Sequence, residues 1–245
     1  MQESTPGPLT VLHEDDALVA VSKPPWLMVH RSREAPDRDV ALQRVRDQVG
    51  GWVYPLHRLD RQASGVLVFA RSPEAAGALQ AGWDAARKDY LTLVRGETPE
   101  AWEITRPLRK RKQELRPGPD AEAESQPART ALRRVAHFAR STLLVASLDT
   151  GRRHQIRRHL SGEARQILGD RRYGKSRIND HHREHFGLER LFLHAWRLRL
   201  AHPDGGELAL EAPLAPDLLA YLGRIPDVPA EVWALLGVRP EGQGA

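Results

Sequence analysis

The chain has 245 residues, a formal net charge of +5 and no cysteine. The absence of cysteine excludes a disulfide framework, a thiolate metal site and a cysteine nucleophile, and this length can bury a sizeable core as one large domain or two lobes. No apolar run is long enough to span a bilayer, and Met1 to Thr10 has no leader pattern; we therefore expect a cytoplasmic protein without membrane contact.

Short strands and helices are mixed along the chain, with strands the more frequent. Apolar and β-branched runs predict strands at Thr10 to His13, Ala17 to Ser22, Gly65 to Ala70, Tyr90 to Val94, Thr130 to Val135, Thr142 to Leu148, Arg197 to Ala201 and Glu207 to Leu210. Helices are predicted at Val40 to Gln48, Pro73 to Trp83 with Ser72 as N-cap, His154 to Leu160, Asp217 to Gly223 and Ala230 to Leu236. Asp204-Gly205-Gly206 predicts a hairpin between the last two strands. Because successive strands lack intervening helices, we predict antiparallel pairing and an α+β fold.

The segment from His57 to Gly65 places one carboxylate, Asp60, between Arg58 and Arg61, just before an apolar strand. Neighbouring guanidinium groups favour the ionised carboxylate against desolvation, so Asp60 is a candidate nucleophile. Ser64 and Gly65 allow a tight turn that would place Asp60 on a loop over the sheet. The alternative is a surface aspartate in an ordinary ion pair, since such pairs also perturb carboxylates.

Positive charge is concentrated in two segments. Six cationic residues between Arg106 and Arg116 stand against one acid, and seven arginines and one lysine between Gly151 and Lys175 stand against two acids. Arginine suits bidentate phosphate contacts, so the excess indicates a nucleic-acid partner. The first cluster can equally be a solvated loop.

The second cluster includes a predicted helix that follows a glycine turn at Gly151. Ile156 and Leu160 stand four residues apart and are expected to face the core. This leaves Arg153, Arg157 and Arg158 largely on the other faces, where a helix N-terminus and arginine together attract phosphate.

The region from Arg116 to Arg129 is rich in proline, glycine and acidic residues. Such a composition predicts an exposed, flexible loop.

A series of short motifs runs almost from end to end of the chain. They are Val19 to Pro25, Val29 to Ser32, Val45 to Gln48, His57 to Gly65, Lys88 to Tyr90, Thr150 to Leu160, Leu168 to Asp170, Tyr173 to Gly174, Asn179 to Phe186 and Leu193 to Ala195. In order and spacing they resemble the RluA-type pseudouridine synthases, and within them the bacterial tRNA pseudouridine synthase C group, which modifies uridine 65 of tRNA. Gln62, Ala63 and Gln166 depart from the family pattern, which often has proline, threonine and proline there; these departures concern substrate choice and loop rigidity more than chemistry.

The resemblance implies a mixed, mainly antiparallel central sheet flanked by helices and loops, with an active-site cleft across the sheet. We expect a tail at residues 1–9, a catalytic domain at 10–225 that includes the loop 116–129, and a C-terminal helix and tail at 226–245. Because the strand that opens the catalytic domain begins near Thr10, we expect no S4-type RNA-binding module of the family, and we expect a monomer. The resemblance also assigns Asp60 as the catalytic aspartate, Tyr90 as the active-site tyrosine and Arg152 as the arginine that pairs with the aspartate. Tyr90 can otherwise be a half-buried strand aromatic. The expected RNA-binding residues are His57, Arg58, Arg61, Arg153, His154, Gln155, Arg157 and Arg158.

The implied reaction is isomerisation of a uridine in structured RNA without any cofactor, and the chain has no dinucleotide or phosphate-loop glycine pattern. Asp60 would attack the sugar or the base, and the target uridine would be flipped out of its stem. Alternatives are the same chemistry on rRNA, or a non-catalytic RNA-binding or assembly factor. A nuclease is disfavoured because no clustered carboxylates could hold metal ions.

Three histidines, His181, His182 and His185, raise the question of zinc, because His181 and His185 have i, i+4 spacing. The order differs from the zinc-protease motif, and the neighbouring basic residues disfavour a cation. We expect no metal and interpret these histidines as RNA-facing polar residues.

Overall fold

The computed structural model describes residues 7–31, 39–109 and 125–238. The strands are Thr10–Glu14 (β1), Leu18–Lys23 (β2), Tyr54–Pro55 (β3), Ser64–Ala70 (β4), Arg87–Arg95 (β5), Ala101–Ile104 (β6), Leu108–Arg109 (β7), Ser125–Gln126 (β8), Thr130–Phe138 (β9), Ser141–Leu148 (β10), Leu193–Ala201 (β11) and Glu207–Glu211 (β12). The helices of the described residues are Ala41–Val49 (α1), Pro73–Ala81 (α2), Gln155–Gly162 (α3), Ser176–Phe186 (α4), Pro216–Arg224 (α5) and Ala230–Leu236 (α6). Within these residues no helix is both long and apolar enough to cross a membrane.

The chain divides into two units, the first comprising residues 1–86 and 195–212. Its strands follow the order β1-β2-β4-β11, with β12 beside β11 and β3 beside β4, and the pairs β1/β2, β2/β4, β3/β4 and β11/β12 are antiparallel. All seven residues of β4 are buried, because the strand lies inside the sheet. The hydrophobic core of this unit contains side chains from both of its sequence stretches: Leu18, Ala20, Leu56, Val66, Val68, Ala70, Leu79, Ala86, Leu198, Leu200, Leu210 and Ala212.

The second unit comprises residues 87–194 and 213–245. Its strand order is β5-β10-β9-β6, and β10 pairs antiparallel with β5 on one side and β9 on the other. Ala139 and Arg140 join β9 to β10 with positive φ angles of 46° and 58°, as a two-residue hairpin connection of right-handed twist requires.

The predicted α+β class, the antiparallel pairing and the hairpin between β11 and β12 are confirmed. The predicted helix at Ala230 to Leu236 matches α6 at both ends, and the Ser72 side chain accepts the backbone N–H of Ala75 as the expected N-cap. Strands β5 and β11 begin three and four residues earlier than predicted. For β5 the reason is that cross-strand pairing with β10 extends back to Lys88.

Helix α4 and strands β3, β6, β7 and β8 have no counterpart among the predicted elements. In α4, Ile178, His182 and Phe186 stand four residues apart, and His182 is buried. The central member of this stripe is a histidine, so the apolar periodicity that normally indicates a helix is interrupted.

An exposed, flexible loop is predicted at residues 116–129. Residues 116–124 of it lie outside the described residues. In the part that follows, Pro127 and Arg129 are exposed, and the other three residues make contacts within the fold. Ser125–Gln126 pairs with Leu108–Arg109, and Ala128 is buried. Backbone pairing and apolar burial therefore include these residues in the folded unit.

Gly65 sets the approach of β4 to β11, and we expect Gly65→Ala to be strongly destabilising. Its φ is +111°, and an added Cβ would lie 2.0 Å from the carbonyl oxygen of Ala195. Gly205 is the matched control, since its φ is +100° but an added Cβ meets nothing within 4 Å. Alanine at either position bears the left-handed backbone penalty of about 1–2 kcal/mol, and at Gly65 it also overpacks the sheet, for about 2 kcal/mol more. Urea unfolding of both variants measures the difference; equal losses would contradict a close β4–β11 contact.

Candidate functional site

Asp60 lies in the first unit on the loop between β3 and β4. Leu59 before it is buried, the Asp60 side chain is half-buried, and Arg61 after it is exposed. The backbone N–H of Ala63 donates to the carbonyl of Asp60 at 3.0 Å, which closes a tight turn. Asp60 therefore stands on a loop before the strand, as predicted. The prediction that Ser64 and Gly65 form the turn is wrong, because both already belong to β4.

This turn is braced by a residue to which the sequence analysis gave no role, Lys23. Its ammonium is fully buried and donates to the carbonyl oxygens of Pro24 and Leu27, both at 2.8 Å, and of Arg61 at 3.4 Å. A buried charge is stable only when it is hydrogen-bonded, so Lys23 ties the Pro24–Leu27 segment to the Asp60 turn. A lysine at the end of an apolar strand and directly before two prolines is a signal that could have indicated this.

Trp26 makes a second tie between the same two segments. Its backbone N–H donates to the Arg61 carbonyl at 2.7 Å, and Arg61 Nε donates back to the Trp26 carbonyl at 3.1 Å. One backbone bond and one side-chain bond, in opposite directions, fix the position of Arg61, and with it that of the adjacent Asp60.

The two other polar residues of this motif have different environments. His57 Nε2 accepts the backbone N–H of Val68 at 3.1 Å, and its ring stacks on Trp83 with 5.0 Å between centroids. His57 is thus half-buried and held against β4. The side chain of Arg58 is exposed and is available to an anion.

Tyr90 and Arg152 belong to the second unit. Tyr90 is half-buried on β5, directly opposite Ala146 of β10. On the neighbouring pair, the Ser147 hydroxyl donates to the Asp89 carboxylate at 2.5 Å. Arg152 lies in the loop after β10, where its Nε donates to the carbonyl of Pro127 at 3.1 Å.

The loop that carries Arg152 is positioned by the buried side chain of Gln155. Its Oε1 accepts the Thr150 hydroxyl at 2.8 Å and the Arg152 backbone N–H at 3.0 Å. Its Nε2 donates to the Arg129 carbonyl at 2.8 Å and to Thr130 Oγ1 at 3.1 Å. All four bonds are made to the protein, so the structure places Gln155 as a brace of the Arg152 loop; direct contact with RNA stays a prediction.

A neutral histidine continues this network. His159 is fully buried, and burial lowers its pKa below the usual value. Its Nε2 lies 2.9 Å from the Arg106 carbonyl, which can only accept, so Nε2 carries the proton. Its Nδ1 therefore accepts the Thr130 hydroxyl at 2.9 Å. Gln155 thus donates to Thr130, Thr130 donates to His159, and His159 donates to the Arg106 carbonyl, so the direction of each hydrogen bond is fixed.

Arg157 corrects the prediction that the arginines of this helix lie on its outer faces. It is buried with Asp170, and the two form a bidentate ion pair of 2.8 and 2.9 Å. Burial raises the pKa of Asp170, but the Arg157 guanidinium and the backbone N–H groups of Tyr173 and Arg172 outweigh it, so the net pKa is lowered. Ile156 and Leu160 face the core as predicted; the acid 13 residues away that makes burial of Arg157 possible could not be identified from helical spacing.

Of the remaining predicted RNA-binding residues of the second unit, Arg153 and His154 lie just before α3 and Arg158 lies within it. His154 precedes the helix in a left-handed conformation with φ 52°, and its Nδ1 lies 3.1 Å from the Tyr173 hydroxyl. Arg153 is half-buried beside it. Arg158 donates to the Arg109 carbonyl at 3.0 Å, so its guanidinium is partly used within the protein.

The three histidines of α4 point to different neighbours. His181 and His185 face each other with ring centroids 4.3 Å apart, whereas His182 is bonded to the Tyr221 hydroxyl at 2.9 Å. Burial, together with His181, lowers the pKa of His182 to about 4. In the part of the chain that is described, no group of three or more His, Asp or Glu side chains could hold a metal ion.

Comparison with known proteins adds three findings. Residues 17–162 match the family model described as RNA pseudouridylate synthase. The tRNA pseudouridine synthase C of Vibrio cholerae is 40% identical over 213 residues, which cover 80% of this chain and 86% of that protein; that of Haemophilus ducreyi is 35% identical over 209 residues, with the same coverage. The solved structure of human RNA Pseudouridylate Synthase Domain Containing 4 is similar with a TM-score of 0.71 and 25% identity, covering 88% of this chain and 92% of that one.

We expect Gln155→Leu to lower the free energy of unfolding by about 2–4 kcal/mol. The substitution preserves the approximate volume but leaves buried donors and acceptors around Thr130 and Arg152 without partners, at about 1–3 kcal/mol for each unsatisfied group. Gln80→Leu, on the exposed end of α2, is the control and should stay within about 0.5 kcal/mol of the parent protein. Denaturant unfolding gives both values, and a Gln155→Leu protein as stable as the control would disprove the bracing role.

Proposed function

The chain belongs to the RNA pseudouridylate synthase family and is an isomerase that converts uridine in RNA to pseudouridine, and we propose that its target is uridine 65 of tRNA and that Asp60 is its nucleophile. The observation that carries the proposal is the combination of relatives named tRNA pseudouridine synthase C, matched over 86% of their length, with a braced loop that presents the one carboxylate of the His57 to Gly65 motif.

The choice of tRNA is supported by the names of these relatives, and the choice of uridine 65 by the resemblance of the motifs to that group. A-form RNA is recognised mainly by its shape, phosphates and 2′-hydroxyl groups, which suits a chain whose cationic residues are mostly arginines. The second candidate is a uridine of rRNA, since the same chemistry serves both substrates.

The nucleophilic role of Asp60 is supported by its environment. The carboxylate is half-buried on a turn that Lys23 and Trp26 hold in place, and a positioned carboxylate can form a covalent intermediate that divides one difficult step into two. In the proposed reaction the bond between uracil N1 and ribose C1′ breaks, the base rotates, and C1′ bonds to C5. The C5 proton leaves and N1 gains one, so nothing is consumed.

Two further roles follow from the family pattern. Tyr90 is the tyrosine that faces the uracil and can move the proton from C5, and Arg152 is the arginine that partners the aspartate. The ring of Tyr90 is half-buried on a central strand, which restricts its orientation. The Arg152 loop is fixed by Gln155, which limits the movement of that guanidinium.

A uridine in a stem must leave the stack before its base can be turned, so we include base flipping in the proposal. Unstacking costs a few kcal/mol, and phosphate contacts can offset it. Arg58 and Arg61 supply exposed cations in the first unit. In the second unit the proposed contacts are Arg153, His154 and Arg158, which are half-buried. His57, Gln155 and Arg157 contribute by holding these segments, because their polar atoms bond within the protein.

We predict that Asp60→Asn and Asp60→Ala reduce the rate of pseudouridine formation by at least about 1,000-fold, as loss of a nucleophile does in other enzymes. Tritium release from tRNA labelled at uridine C5 measures the rate. Asp84→Asn, at an exposed position of the same unit, is the control and should keep full activity. Turnover by Asp60→Asn near that of the control would remove Asp60 from the mechanism.

The substrate proposal predicts a single new carbodiimide-dependent reverse-transcription stop, at uridine 65 of tRNA, in cells that contain the protein compared with cells that lack it. RNA mass should stay unchanged, because isomerisation adds no atoms. A stop that maps to rRNA would instead support the second candidate. Stable RNA binding without any stop would identify a non-catalytic binding factor.

A further inference from the structure

Trp26 is an exposed aromatic side chain beside the Asp60 turn. Among the described residues, the large apolar side chains that are exposed are Val11, Trp26 and Trp52, with Trp26 44% exposed. Leu27, which follows it directly, is buried. Exposure of this kind is confined to three side chains of the described residues, but a single exposed apolar residue is normal on a protein surface and does not by itself mark a contact.

The backbone of Trp26 is as unusual as its exposure. Its φ is +67°, a left-handed conformation that glycine adopts freely and that is an outlier for a bulky residue. For folding alone, glycine would serve better at this position. A costly conformation that persists at an exposed aromatic indicates that the indole itself has a use.

The position of Trp26 is fixed relative to the proposed nucleophile. Its backbone N–H and carbonyl both bond to Arg61, the residue next to Asp60. The buried Lys23 ammonium donates to the same Arg61 carbonyl and to that of Leu27, which follows Trp26. An RNA whose uridine reaches Asp60 must therefore present neighbouring nucleotides close to Trp26. Arg58 and Arg61, both exposed, supply the positive charge that attracts the backbone of such an RNA.

We propose that Trp26 stacks on a nucleobase adjacent to the target uridine. The indole thereby replaces the flipped uracil as the stacking partner of that neighbouring base. The proposal rests on the proposed function, since it places the target uridine at Asp60. Every base has a π-face, so the contact supports binding without demanding one sequence. Trp26 is a binding residue in this proposal and does not touch the reacting atoms.

The experiment compares Trp26→Ala, Trp26→Phe and Trp26→Gly with Trp52→Ala, an exposed tryptophan of the same unit whose ring is covered by Arg46 at 4.2 Å. Binding to transcribed tRNA should weaken roughly 5- to 150-fold for Trp26→Ala, the range for one stacked base. KM should rise more than kcat falls. Trp26→Phe should recover most of the affinity, and Trp52→Ala should bind as the parent protein does.

Trp26→Gly separates stacking from structure. It removes the indole and the left-handed strain together, so its melting temperature should equal or exceed that of the parent protein while its RNA affinity falls as for Trp26→Ala. A lower melting temperature with unchanged affinity would show that the indole serves only the fold, and would overturn the proposal.

An abasic scan identifies the stacked base. A tRNA with a single abasic nucleotide at each position flanking the target should bind the parent protein weakly at one position, and Trp26→Ala should be insensitive at that same position. Equal sensitivity of both proteins at every position, or an equal loss of affinity in Trp52→Ala, would overturn the proposal. The parent protein's tritium release from uridine C5 is measured in parallel. If one abasic position and Trp26→Ala prove coupled in RNA affinity but no tritium is released, the proposed function alone is refuted. If tritium is released but no such coupling is found, the stacking proposal alone is refuted.

Discussion

Burial of the Lys23 ammonium constrains the proposed nucleophile's surroundings in the first unit. The charge has no exposure to water, and it is stabilised by backbone carbonyls from two separate segments, residues 24–27 and Arg61. Moving either segment would take an acceptor away from a buried cation, which costs several kcal/mol. The Asp60 turn is therefore preorganised by the fold, as a group that must meet a reacting atom within a fraction of an ångström has to be. Trp26 depends on the same interaction, because its backbone N–H donates to the Arg61 carbonyl that Lys23 also holds.

The second unit achieves a similar rigidity with neutral groups. Gln155, Thr130 and His159 form a buried chain in which each donor has a defined acceptor, and the lowered pKa of His159 keeps its imidazole uncharged. Such a fully bonded network specifies one arrangement of the loop that carries Arg152. The buried pair of Arg157 and Asp170 also carries no net charge. Arg157 belongs to the cationic cluster from which RNA binding is predicted, yet its charge is neutralised by Asp170 within the protein. The net charge of a segment thus overstates the cations that it presents to a ligand.

Prediction from sequence succeeded where one local rule decided the outcome. The apolar run after Gly65, the proline and serine at the start of α2, and the glycines between β11 and β12 each indicate one structure, and the motif order identified the family. It failed where the decisive partner is remote. Helix α4 depends on His182, which is bonded to Tyr221 39 residues away, and the burial of Arg157 depends on Asp170. Lys23 stands at the end of an apolar strand, which indicates burial, but its partner in the Asp60 turn, the Arg61 carbonyl, lies 38 residues away. Periodicity cannot supply such contacts, since it describes only neighbours along one element.

The positions that break local folding rules are informative for function. Two of the non-glycine residues with positive φ, Ala139 and Arg140, form a hairpin turn that requires that conformation. Trp26 and His154 have no such reason: one lies against the Asp60 turn, and the other begins the helix after Arg152, where asparagine or glycine would be easier. A sequence selected for stability alone would remove both strains, because local choices normally agree with the fold except at functional sites. Trp26 is bonded to the loop that carries Asp60, and His154 lies in the loop that carries Arg152. Each loop is held within its own unit, the first by Lys23 and the second by Gln155.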